Sequence, residues 1–186
     1  MTTRLGTSSD INGVLALQAL NLQANLPTAA LENGFVTTPF TSTLIEQIIQ
    51  MDGLFVAEDK GEIIAYVYAG DWNYFQQWPI FAFMVNRFPN LQFKNQNITI
   101  GNSFQYGPIC IATAYRGMGV LQQIFEKMRI AFAPKYPTSI TFINAINKRS
   151  TKAHTEKLGW EIIDEFTFNN NQYLGLAYDM KVSVLG

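Results

Sequence analysis

One stretch of the chain has residue types and spacing suited to holding an anion: Gln105 to Met128, which reads QYGPICIATAYRGMGVLQQIFEKM. It opens as a short apolar run, Ile109-Cys110-Ile111, and passes through Arg116-Gly117-Met118-Gly119. Apolar residues then come at Val120, Leu121, Ile124, Phe125, Met128 and Phe132. That last spacing is one face of an α-helix, so the unit predicted is strand, glycine turn, helix. A helix beginning at such a turn offers unpaired backbone N–H groups and the positive end of its dipole, which together suit a phosphate or pyrophosphate. Gly117 and Gly119 let the main chain approach without a side chain in the way. Taken alone, the same two glycines also fit a turn that merely bends tightly.

The elements that must position this turn can be read along the chain. Thr2 to Leu5 predicts a short first strand, and Ser8-Ser9-Asp10 supplies capping chemistry for a helix running to about Asn25, before Pro27. Thr28 to Phe40, with Gly34 and Pro39, reads as a loop. Thr43 with Glu46 predicts a capping box for a second helix ending near Gly53. Leu54–Glu58 and Glu62–Ala69, joined by Asp59-Lys60-Gly61, predict a hairpin. Trp72 to Phe88 is dense in aromatics, and Ile98-Thr99-Ile100 suggests a further strand; with no linker on either side, residues 72–103 read as an insertion. Beyond the central unit, Ser139 to Ile146 reads as a strand and Asn147-Lys148-Arg149-Ser150 starts a short helix that Gly159 ends. Glu161–Phe168, a turn at Asn169-Asn170-Asn171 and Tyr173–Val182 form a last hairpin.

Composition narrows the classes. The chain has 186 residues, 48% of them apolar, which is enough for one domain over 1–186 with a substantial core. A formal net charge of −1 gives no basic excess for a nucleic-acid partner. Cys110 is the single cysteine and His154 the single histidine, so neither an internal disulfide nor a four-ligand zinc site is expected, and no metal is predicted. MTTRLGTSSD lacks the apolar core of a signal peptide, and no apolar run reaches the roughly 18 residues of a membrane span, so a cytoplasmic setting without a membrane partner is expected.

Two motifs in order carry a family resemblance. Arg116-Gly117-Met118-Gly119-Val120-Leu121, preceded by Ile111-Ala112-Thr113-Ala114-Tyr115, resembles the Arg/Gln-x-x-Gly-x-Gly/Ala cofactor motif of the GCN5-related N-acetyltransferases. Leu121 stands where a small residue is usual. Ile143-Asn144-Ala145-Ile146-Asn147 followed by KRSTKAHTEKLGW is similar to the family's strand, Asn, short helix and Gly-aromatic pair, with Asn147 and Gly159-Trp160 in those places. The resemblance implies a mixed α/β (α+β) fold, a central twisted sheet of about six to seven strands flanked by about four helices, with the aromatic insertion placed before the central strand.

The same resemblance implies an activity: acetyl transfer from acetyl-CoA to a small-molecule or peptide amine, by direct attack in a ternary complex and with no covalent nucleophile. The rival reading is a non-catalytic acyl-CoA-binding or sensor module. By the resemblance, Ile109, Cys110 and Ile111 would take the pantetheine arm, and Gly117, Met118, Gly119, Val120 and Leu121 the pyrophosphate. Asn147 and Ser150 would complete the cofactor set. Arg116 either lends charge to a phosphate or is a solvated turn residue.

Where the family often has a Tyr acid, counting seven forward from Asn147 reaches His154 and counting four back from Gly159 reaches Thr155, so this helix is one residue longer than the family pattern. His154, which ordinarily titrates near neutrality, is the candidate for proton handling, with an idle exposed histidine as the alternative; Thr155 could orient a group or a water. Tyr106 either lines the acceptor side or belongs to the core. Glu58 is a base acting through water or a solvated carboxylate. Cys110 as a nucleophile lacks a base or positive neighbour in sequence, and a small apolar role fits it better. The insertion aromatics, among them Trp72, Tyr74, Phe75, Trp78, Phe81 and Phe83, line an acceptor pocket, cover a homodimer surface, or are core.

Overall fold

The structure is a computed structural model describing Met1–Gly186, with the side chain of Glu32 outside the described set. In chain order it runs β1 (Thr2–Leu5), α1 (Ile11–Ala19), α2 (Ser42–Gln50), β2 (Leu54–Asp59), β3 (Glu62–Gly70), α3 (Trp72–Phe75) and α4 (Pro79–Arg87). A small hairpin comes next, β4 (Gln92–Phe93) and β5 (Gln96–Asn97), then β6 (Ser103–Ile111), α5 (Val120–Phe132), β7 (Thr138–Asn144), α6 (Lys148–Lys152), β8 (Glu161–Phe168) and β9 (Asn171–Asp179). Seven strands form one mixed sheet in the order β1-β2-β3-β6-β7-β9-β8. Every neighbouring pair is antiparallel except β6 and β7. The two outer hairpins turn where sequence predicts, because Lys60-Gly61 and Asn169-Asn170 adopt the positive φ that a tight hairpin turn requires.

Each face of the sheet buries its own apolar cluster. α5 covers one face, where Phe55, Val67, Phe104, Phe125, Met128 and Trp160 pack together. On the other, α1 and α2 supply Val14, Ile45 and Ile48, and the insertion supplies Trp72, Phe75, Phe81 and Met84. The insertion is stitched down by polar contacts as well. Trp72 Nε1 donates to Ser103 Oγ at 3.1 Å, the Tyr74 hydroxyl to the Leu44 carbonyl at 3.0 Å, and Arg87 makes a two-point pair with Asp164 at 2.6 Å on each arm. Its aromatics are therefore mainly core.

Three local expectations are corrected. α1 ends at Ala19 rather than near Asn25: Asn21 Nδ2 bonds back to the Leu17 carbonyl at 2.9 Å, and the backbone of Asn21 pairs with Val36 instead of continuing the helix. α2 is capped by Thr41, whose Oγ1 accepts from Leu44 N at 3.3 Å, and not by a box at Thr43; Glu46 instead accepts from Ser8 Oγ. Ile98–Ile100 is no strand, since reciprocal bonds between Thr99 and Asn102 fold it into a loop.

The feature that makes the site is a split in the sheet. β6 and β7 pair only at Ser103↔Thr138, Phe104↔Ser139 and Gln105↔Ile140, although β6 continues to Ile111 and β7 to Asn144. On the β3 side, Val67 faces Ile109 and Ala69 faces Tyr106, so Gly107-Pro108 bulges opposite Tyr68. Pro108 brings no N–H to a ladder. Beyond Gln105 the two strands part, leaving a wedge between them.

Candidate active site

The glycine turn opens at the mouth of this wedge. Gly117 has φ +83° and Gly119, the residue capping α5, has φ +81°, a left-handed conformation that costs an L-residue roughly 1–2 kcal/mol. A Cβ on Gly117 would meet no protein atom within 4 Å, and one on Gly119 only Gln123 Nε2 at 3.8 Å, so the space in front of the turn is open. The first bond of α5 is Gln123 N to Gly119 O at 3.2 Å. Among the described residues nothing accepts from the N–H groups of Gly117, Gly119, Val120, Leu121 or Gln122. These five free donors at a helix start are what the anion cradle expected from the sequence would require.

The cradle belongs to a cavity of about 160 Å³. Ile109, Cys110, Ile111, Arg116, Gly117, Gly119, Leu121, Asn147 and Ser150 of the expected set line it. Two expected members do not: the Met118 side chain is 65% exposed at the tip of the turn, and Val120 is buried in the cluster under α5. Leu121, the departure from the small residue, packs against that same cluster while one side of it faces the cavity, so its bulk is housed in the protein.

Arg116 is neither a solvated turn residue nor an open anion ligand. Its three guanidinium nitrogens donate to the Ile111 carbonyl, the Asn33 carbonyl and Asn21 Oδ1 at 2.9, 2.9 and 2.8 Å. Burial, and then Arg149, hold it below its ordinary pKa. From the other side of the wedge, Asn147 Nδ2 reaches the Phe35 carbonyl at 3.4 Å, while its Oδ1 caps α6 by accepting from Ser150 N at 3.1 Å. The stretch Asn33–Val36 is thus strapped across the wedge, tied to both diverging strands. Cationic charge at this end also comes from Arg149 and Lys157, both exposed on the α6 side of the cavity.

A second cavity of about 90 Å³ continues the groove past the strap. Phe35, Val36, Ile109, Asn147, Ser150 and His154 line both. His154 therefore sits at the junction, and it is buried, with 3% of its surface exposed. Its Nδ1 lies 2.8 Å from the Ser150 carbonyl, an acceptor only, so Nδ1 carries the proton and Nε2 keeps a lone pair. Tyr106 and Trp160 ring it at centroid distances of 5.6 and 5.8 Å. Burial pushes its pKa down to about 4. Both sequence expectations for this residue, exposure and titration near neutrality, are corrected by that packing.

The other candidates separate cleanly. Thr155 lines neither cavity; its hydroxyl bonds back to the Thr151 carbonyl at 3.0 Å. Tyr106 contributes to the second cavity, but its ring packs against Phe125 and Trp160 in the core and its phenol is pushed up by burial. Burial pushes the Cys110 thiol up to about 12, which leaves it no thiolate for nucleophilic work. Glu58 lines neither cavity and pairs with Arg4 at 2.6 Å. Of Trp72, Tyr74, Phe75, Trp78, Phe81 and Phe83, only Phe81 reaches the groove.

The extra residue in the helix after Asn147 also finds its place. Ala153–Leu158 forms a wide π turn, closed by the Gly159 N–H donating to the His154 carbonyl; Gly159 reverses the chain at φ +79°, and Trp160 N donates to the same carbonyl at 3.0 Å. Sequence reasoning missed the strap residues and the basic pair; Arg149, Ala153 and Lys157 at four-residue spacing was the available signal for the pair.

No family model matches the sequence, and no curated protein matches it. Solved structures do. An N-acetyltransferase from Staphylococcus aureus Mu50 superposes with a TM-score of 0.63 at 19% identity, over 96% of this chain and 98% of that one. A ribosomal-protein-alanine N-acetyltransferase from Brucella melitensis gives 0.62 at 20%, over 96% and 99%. A putative acetyltransferase from Salmonella typhimurium, solved with its cofactor acetyl-CoA, gives 0.63 at 12%, over 97% and 94%. The chain has the fold of the GCN5-related N-acetyltransferases, as its two motifs implied.

Proposed function

We propose that the protein is an acyl-CoA-dependent N-acetyltransferase, moving an acetyl group from acetyl-CoA to a primary amine by direct attack in a ternary complex. The observation that carries this is the row of five unpaired amides at the start of α5, opening on a groove that runs between two parted strands. The donors, the positive helix end and the cations Arg149 and Lys157 fit a diphosphate and a further phosphate. Ile109–Ile111, without a strand partner on the β7 side, would hold the pantetheine arm by main-chain bonds. The coenzyme, when bound, supplies an acyl carbon activated as a thioester.

The chain's own part is chiefly placement. The strap and the two diverging strands confine the reacting groups and exclude water, which is where most of the gain from proximity arises. Nε2 of His154, at the junction of the cavities and unprotonated, can accept an N–H of the incoming amine. It is not a reservoir of protons for the departing sulfur, because at neutral pH it holds only the Nδ1 proton.

The lack of a proton reservoir favours a second reading, a non-catalytic acyl-CoA-binding module. Calorimetry with coenzyme A tests what the two readings share: uptake in the micromolar range is expected, and no uptake by folded protein ends both. Thiol release from acetyl-CoA in the presence of a broad amine panel then separates them, with turnover selecting the enzyme and saturable binding without turnover the module.

A further inference from the structure

The second cavity differs in chemical character from the cradle it adjoins. Eighteen residues line it, and none is Asp, Glu, Lys or Arg. Its wall is aromatic: Phe81 and Phe142 meet edge-to-face with centroids 5.1 Å apart, and Phe142 meets Tyr173 in the same way at 5.6 Å. Its polar groups are neutral, chiefly Thr38, Thr141 and Asn144, with Gln105 in the floor. Gln105 is 2% exposed; its Nε2 bonds to the Tyr106 carbonyl while its Oε1 has no partner. The terminal amide torsion is soft, so a modest rotation offers that oxygen to an N–H donor.

Resting on the reading of the protein as an amine acetyltransferase, we propose that the acceptor is a small primary amine on an uncharged apolar carbon frame, bound as the free base in this cavity. Three physical steps lead there. A carboxylate or second ammonium on the acceptor would have to leave water with no opposite charge to meet it, a cost of several kcal/mol in a largely buried site. The amine itself faces the same penalty while protonated, so the cavity selects the neutral form, which is also the nucleophilic one. The aromatic wall rewards apolar surface, and about 90 Å³ admits a short branched chain or one edge of a ring.

The reaction balances without help from the cavity walls. The nitrogen lone pair forms the C–N bond, the C–S bond breaks with its pair going to sulfur, and the single proton lost from nitrogen equals the one sulfur gains. Counted from the bound free base no net proton is exchanged; the ammonium's extra proton stays in the solvent when the amine binds, and no acidic side chain is required in the cavity.

The experiment is an acceptor panel with acetyl-CoA: isobutylamine and 2-phenylethylamine against putrescine, alanine and an alanyl dipeptide amide. The apolar amines should exceed putrescine and alanine, which bring a second charge, and the dipeptide amide, which brings polar amides in place of apolar surface, in kcat/KM by about 20-fold or more. In Thr38→Asp, a half-buried change two residues past the strap in the wall of this cavity alone, putrescine should gain on 2-phenylethylamine by at least about fivefold, with coenzyme A affinity within about twofold of the parent. Equal or better use of putrescine, alanine or the dipeptide overturns the proposal while leaving acetyl transfer intact, and so does an unchanged preference in the variant. Coenzyme A uptake with no turnover of either apolar amine overturns it together with catalysis. Absence of uptake removes the proposed function underneath it.

Discussion

The two ends of the groove are built on opposite principles although they share a wall. At the α5 end the protein leaves its own donors unpaired and places Arg149 and Lys157 beside them. Past the strap it presents aromatic rings and neutral polar groups without a charged side chain. One backbone event, the parting of β6 and β7 after Gln105↔Ile140, creates both ends. The difference teaches that topology supplies the groove while side chains assign what each half takes. A helix start and two glycines suit almost any diphosphate; on the proposed reading, the rings and amides past the strap would choose the acceptor.

The sharpest way to break the comparison is at the turn. Gly119→Val puts a β-branched residue at φ +81° and a side chain into the open space before the amides. Coenzyme A should bind about 100-fold more weakly, roughly 2.7 kcal/mol. The change should leave the aromatic cavity alone, since Gly119 does not line it. Calorimetry on protein whose thermal melt confirms folding is the measurement. Affinity within about threefold of the parent would show that the cradle does not hold the diphosphate.

His154 joins the halves, and its burial makes a stability prediction. Its folded pKa of about 4 lies below the ordinary 6.5, so between these values the unfolded chain binds the extra proton and stability rises with pH. The contribution is fully present above 6.5 and is lost as pH falls toward 4. Going from about pH 7.5 to about pH 5 should cost on the order of 2 kcal/mol by urea unfolding. His154→Gln should flatten that stretch of the curve; an equal slope in the variant would assign it to other groups. The carboxylates lowered by pairing, Asp10 beside Arg4 and Glu126 beside Arg129, lose their share only at lower pH, so they do not imitate the effect.

At the cationic end, Arg149 and Lys157 are exposed, and exposed charges act weakly and yield to salt. The double change Arg149→Ala with Lys157→Ala should weaken coenzyme A binding by about fivefold at low ionic strength and by less than about twofold near 0.5 M salt. The KM for an apolar amine should not move. A shift in amine KM with unchanged coenzyme affinity would reverse the assignment of the two halves.

Much of the fold was legible in sequence, and the part that was not has one cause. The strand, glycine turn and helix from Ile109 to Phe132 are local: apolar spacing and two glycines encode them without help from the rest of the chain. The hairpin turns at Lys60-Gly61 and Asn169-Asn170 are equally local. The strap is not. It exists because Arg116 reaches Asn21 and Asn33, 95 and 83 residues away, and because Asn147 reaches Phe35, 112 residues away. Nor does KRSTKAHTEK reveal that its histidine is buried, since its neighbours are polar and charged; Tyr106 from within β6 and Trp160 from just before β8 enclose it. The aromatic insertion misled for a related reason. Its rings look like a pocket until Arg87–Asp164 and Trp72–Ser103 show which way they are pinned.

The smallest expected effect tests the finest point, which of two adjacent residues faces the groove. His154 and Thr155 are one position apart on a helical turn, so their side chains diverge by roughly a quarter turn and only one can point into the wedge. The π turn over Ala153–Leu158 fixes the choice: His154 turns inward beside Tyr106 and Trp160, and Thr155 turns its hydroxyl back to the Thr151 carbonyl. Thr155→Val removes that hydroxyl at nearly constant volume, and the bond lost is a single one to a helix carbonyl of a half-buried residue, so stability should change by no more than about 0.5–1 kcal/mol. Turnover and both KM values should stay within about twofold of the parent. If kcat instead fell tenfold or more with the melt unchanged, the hydroxyl would have to reach the reacting groups, the turn would have to be wound one residue further, and His154 would lose its place at the junction.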